Sequence, residues 1–192
     1  MASNLDPGLV KELTEAKGDL ARHGVVIVRT VEKELEPAIM AAVKDSLEAS
    51  PGKLEAMAEG DLDELLGDIR KAAMGSAKEL AGLYVRLLGK LGMEYIGDLV
   101  KELDGIGQLF RWERISQAAK PVNDILATKG FGPVELRGPD VISESFKIEL
   151  EGKWAPAFER FKNLADRTAE QLGKKSVSEP LPARERKSPR RR

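Results

Sequence analysis

The stretch DLDELLGDIRKAAMGSAKELAGLYVRLLGKLG, residues 61–92, keeps a helical period throughout and contains no proline. Leu62, Leu66, Ile69, Ala73, Leu80, Tyr84, Leu87 and Leu91 recur at three- and four-residue spacing and so share one side of a helix. At 3.6 residues per turn this is roughly nine turns, far longer than local propensity alone sustains in water. A helix of that length is stable only when its apolar stripe is covered, and the covering elements must be long as well. The stretch therefore points to a layered helical protein.

Within it, glycine returns every seven residues, at Gly75, Gly82 and Gly89. Each costs about 1 kcal/mol relative to alanine in a helix interior. Taking Gly75 as zero, Gly82 and Gly89 fall at about −20° and −40°, while the leucine stripe centres on about 120–180°. The glycines thus sit behind the core face, among Lys78, Glu79, Arg86 and Lys90. Two readings follow: a second helix lies in this groove, or water covers it.

Other helix signals bracket this stretch. Asp6-Pro7 has the form of an N-cap followed by proline at the first helical position, and Leu9, Leu13, Ala16 and Leu20 follow in period. Gly24 reads as a stop, and Val25–Thr30 fits either helix or a short strand. Pro37 predicts a kink or break. Ser50-Pro51 repeats the capping signature before a short helix, and the period resumes from Met93 to Leu126 with an interruption at Pro121. SFKIELEG alternates like a half-buried strand, yet Phe146, Leu150, Trp154, Phe158 and Phe161 also fit a helix. The expected fold is predominantly all-α: an irregular bundle of five to seven helices over residues 1–173. A small β-hairpin or single strand near 134–151 is the element left open.

Residues 174–192 differ in kind. They carry eight Lys and Arg against Glu179 and Glu185, so an acidic body of net −7 ends in a tail of net +6. With so little apolar content the tail is expected to be disordered. Its Arg184, Arg186, Lys187, Arg190, Arg191 and Arg192 are candidate contacts for an anion or nucleic acid.

Several chemistries are excluded by inventory. The chain has no cysteine and a single histidine, His23, so thiolate or paired-histidine metal sites and thiol nucleophiles are absent. The Gly82–Lys90 spacing is not a phosphate loop, and Gly105-Ile106-Gly107 lacks the third glycine of a dinucleotide fingerprint. No catalytic, cofactor or metal residue is assigned, and no cofactor is expected. Acidic groups such as Asp61/Asp63/Glu64 and Asp98/Glu102 read as helix-start partners rather than cation ligands. Residues 114–138 map poorly onto a helix-turn-helix, because Lys120-Pro121 is a poor turn. Phe110-Arg111-Trp112-Glu113-Arg114 combines residue types enriched at binding hot spots.

The expectation is therefore a non-enzymatic interaction protein: a subunit, adaptor or self-associating bundle with a protein partner or a second copy. Gly75, Gly82, Gly89, Arg86, Arg111, Trp112 and Arg114 are its candidate interface. A nucleic-acid-associated protein working through the basic tail is the second reading. A helical enzyme or apolar-ligand carrier, around Tyr84, Tyr95 and Lys90, is the third. The longest aliphatic run, Val25–Val28, is far too short to span a membrane, and the chain is expected to be soluble and cytoplasmic.

Overall fold

The computed structural model describes residues 5–91, 96–136 and 144–178. Three long helices form its frame: α1 (Pro7–Glu48), α3 (Glu59–Lys90) and α8 (Ala155–Ser178). Short α2 (Pro51–Ala56) turns the chain between the first two. α4 (Ile96–Leu109) packs on α8, and α6 (Lys120–Thr128) packs on α3. α5 (Trp112–Ser116) leads into α6 through a 3-10 turn, Gln117–Ala119. α7 (Glu144–Lys147) passes through a π-helical turn, Ile148–Trp154, directly into α8. No strand occurs among the described residues.

α1 starts as its sequence dictates. The Asp6 carboxylate accepts a hydrogen bond from the Gly8 amide at 2.9 Å, and Pro7 occupies the first turn. The helix then runs for 42 residues, through both expected interruptions and through Val25–Thr30. Pro37 does not end it because Pro37 and Lys33 both face solvent. Water can therefore satisfy the Lys33 carbonyl that the missing proline N–H leaves free. Gly24 is not a stop either. It is buried, and a Cβ there would lie 2.5 Å from Leu88 Cδ2 on α3. The glycine lets two long helices approach, and Ile27, Val31, Leu35 and Ile39 continue the contact stripe along α1.

α3 buries Leu65, Ile69, Ala73, Leu80, Tyr84 and Leu87, while Leu62 and Leu66 are half-covered. α6 ends on Gly130, whose φ of 75° only glycine adopts readily. The Phe131 amide donates to the Leu126 carbonyl at 3.0 Å and the Gly130 amide to Ala127 at 3.1 Å. Buried Phe131 then packs back on the bundle beside buried Leu126. The open element near 134–151 shows no strand among its described residues, and residues 137–143 lie outside them. Residues 131–136 are irregular, and residues 144–154 are helical. The alternating pattern fails because Ile148 is 52% exposed while Phe146 and Leu150 are buried. The residues that share the buried side are Phe146, Leu150, Trp154 and Phe158, each four apart. An α-helix would rotate such a series by about 40° per step, and the wider π turn removes much of that drift.

Four aromatic rings fill the junction of α3, α4 and the π turn. Tyr84 stacks on Phe110 with centroids 4.2 Å apart, Phe110 on Trp154 at 4.2 Å, and Trp154 on Phe158 at 4.9 Å. The Tyr84 hydroxyl donates to the Leu109 carbonyl at 2.8 Å, tying α3 to the end of α4. No helix among the described residues is long and apolar enough to cross a membrane.

Candidate functional site

The outer face of α3 is bare. Gly75 and Gly89 are exposed, and a Cβ at either would meet nothing within 4 Å. At Gly82 the nearest atom to such a Cβ is Arg86 Nη1, at 3.9 Å, one turn along the same helix. Gly60 and Gly67 extend this face toward the start of α3, also with nothing within 4 Å. Two apolar side chains stand on its flank: Met74 is 43% exposed and Val85 is 56% exposed. By helical projection both lie about 80–100° from Gly75, on the side away from Arg86. No described part of the chain covers the groove. Sequence reasoning picked out the last three glycines, and it missed Gly60 and Gly67 because the step from Gly67 to Gly75 is eight residues.

On the other flank of that face, α3 and the α5–α6 segment enclose a cavity of about 320 Å³. Arg86 of α3 and Arg114 of α5 both line it, although 27 residues separate them in the chain. Lys120 and Glu79 complete its polar lining with Gln117 and Ser76, and its apolar wall is Leu80, Leu83, Ala118 and Pro121. Arg114 Nη1 donates to Gln117 Oε1 at 2.9 Å, which holds the guanidinium at the cavity edge. Lys120 pairs with Asp124 at 3.0 Å. Lys120 and Glu79 carried no distinguishing signal in the sequence, since their role depends on which helices meet.

Arg114 also acts at a distance on the aromatic stack. Burial holds the Tyr84 phenol well above its ordinary range, and the positive charge of Arg114 offsets part of that rise. Arg111 is exposed at the start of α5, and the side chain of Trp112 lies outside the described part. Tyr95 and the six basic tail residues from Arg184 to Arg192 also lie outside it.

The remaining polar candidates resolve into ordinary surface pairs. Lys90 holds Glu102 at 2.5 Å, and Lys101 lies 3.3 Å from Asp98. His23 sits mid-helix on α1, where its Nδ1 lies 3.7 Å from Glu149 Oε2 on the π turn. Lys153 binds the other oxygen of that carboxylate. Asp61, Glu64, Asp68 and Asp124 share a second cleft with Lys129. No group of three or more acidic or histidine side chains among the described residues can hold a metal ion. Gly107 belongs to packing: a Cβ there would lie 2.7 Å from Phe158 Cε1, so α4 needs a glycine to seat against α8. The described part of the stretch compared with a helix-turn-helix is structural as well. Val122 and Leu126 are buried, and Asn123 exchanges two hydrogen bonds with the Val134 backbone at 2.8 and 3.0 Å. Searches against protein-family models, curated proteins and solved structures return no match to this chain.

Proposed function

We propose that the protein works by protein–protein contact, as a self-associating bundle or a subunit, with the outer face of α3 as its docking face. The observation that carries this reading is the uncovered groove of Gly60, Gly67, Gly75, Gly82 and Gly89 along one 32-residue helix. A glycine groove lets a second backbone approach closely, and a near-heptad repeat keeps it aligned over many turns. Arg86 on one side, and Met74 and Val85 on the other, supply a charge and apolar contacts at its borders.

The test is the molar mass of the full chain by light scattering across a concentration series, together with Gly82→Leu. The added side chain has open space in the isolated chain and removes a helix-weakening glycine. The variant is therefore expected to fold and to lose self-association, or retention of a partner from lysate, by tenfold or more. A wild-type chain that stays monomeric at every concentration and retains nothing from lysate overturns the reading. The basic tail supports a second proposal, nucleic-acid association, which rests on its charge alone. Deleting residues 174–192 is expected to abolish any salt-sensitive binding, and full-length chain without such binding removes it.

A further inference from the structure

We propose that the cavity between α3 and the α5–α6 segment binds a small molecule with a dianionic phosphate head and a compact apolar body. The charge is local and opposite to its surroundings. Up to residue 173 the chain carries net −7, yet the cavity gathers Arg86 and Arg114 against Glu79, with Lys120 at its edge paired to Asp124. Arg86 makes no ion pair or hydrogen bond with the described residues, and among them Arg114 hydrogen-bonds to the neutral Gln117 side chain alone. Arg86 thus keeps its whole planar donor fork free, and Arg114 keeps the donors that it does not give to Gln117, the kind of donor set in which arginine outperforms lysine toward an oxyanion. Lys120 lines the cavity edge but pairs with Asp124, so the two arginines carry the charge of the site.

Ser76 adds a second kind of observation. It is 8% exposed and lines the cavity, and its hydroxyl makes no hydrogen bond with the described residues. The hydroxyl is not among the buried atoms that lack a partner, so it opens to the cavity, where a ligand oxygen can reach it. Leu80, Leu83, Ala118 and Pro121 form the apolar wall, so the body of the ligand is hydrocarbon or aromatic. At about 320 Å³ the half-open cavity admits a body of single-ring size. Phosphate is favoured over carboxylate because its oxygens can accept from two guanidinium groups at once. The cavity lies beside the glycine groove and shares Arg86 with it, but binding here needs no partner on that groove.

Isothermal titration of the full chain with phenyl phosphate tests the proposal, with benzoate and inorganic phosphate as comparison ligands. One phenyl phosphate per chain is expected, at least tenfold tighter than either comparison ligand. Arg86→Gln and Arg114→Gln are each expected to weaken it about tenfold, and Arg29→Gln on α1 to leave it unchanged. Arg86 holds nothing in the described fold, so Arg86→Gln remains informative even if Arg114→Gln unfolds. No saturable binding, equal binding of inorganic phosphate, or unchanged affinity in Arg86→Gln overturns the proposal.

Discussion

At the scale of single residues, two glycines on one helix make opposite predictions. Gly105 is exposed with nothing within 4 Å of a Cβ, whereas a Cβ at Gly107 would press on Phe158. Phe158 cannot easily yield, because its ring is stacked on Trp154. Gly105→Ala should gain about 0.5–1 kcal/mol from helix propensity. Gly107→Ala should lose about 1–3 kcal/mol to overpacking, only partly offset by the same gain. Urea unfolding of both variants checks this, and an equal shift in the two would refute the packing role of Gly107. Tyr84 makes a prediction in pH. Its folded phenol holds its proton above the ordinary value of 10.0, mainly because it is desolvated. Above that value the unfolded chain releases the proton while the folded chain keeps it, so stability falls as pH rises. The stability advantage of wild type over Tyr84→Phe should shrink between pH 9 and pH 11, as read by urea midpoints.

Elements show where the sequence was legible and where it was not. The start of α1, the long period of α3 and the reversed face of its glycines could all be read locally, because caps and periodicity act within a few residues. Gly24 and Pro37 could not. Whether glycine ends a helix or opens it to a neighbour depends on Leu88, 64 positions away. Whether proline breaks a helix depends on which side faces water. The contest over residues 134–152 was equally undecidable from pattern, since Ile148 fits a strand by alternation and is excluded only by packing. The segment 131–136 shows how irregular backbone is held. Asn123 on α6 pairs with both the amide and the carbonyl of Val134, in place of a strand neighbour. Asn123→Ala should leave both groups without that partner and cost about 1–3 kcal/mol. Faster amide exchange confined to residues 131–136 would mark the loss, and unchanged exchange would refute the clamp.

For the whole molecule, helical class and the division of charge between body and tail were readable from composition. The cavity was not, because Arg86, Arg114 and Lys120 become neighbours only when α6 packs on α3. The length of α1 sets the overall dimensions. At 1.5 Å per residue its 42 residues span about 63 Å. A compact chain of 192 residues would have a radius of gyration of about 16 Å. Small-angle scattering extrapolated to infinite dilution should give at least about 18–20 Å, and a value near 16 Å would contradict an unbroken α1. That helix touches the π turn through His23 and Glu149, and the 131–136 segment through Ser46 and the Gly132 carbonyl. The 23 helical steps from His23 to Ser46 fix those two contacts about 35 Å apart. α1 is in this sense a ruler. It sets a distance between two irregular parts of the described chain, and any partner that engages both must be built to the same gauge.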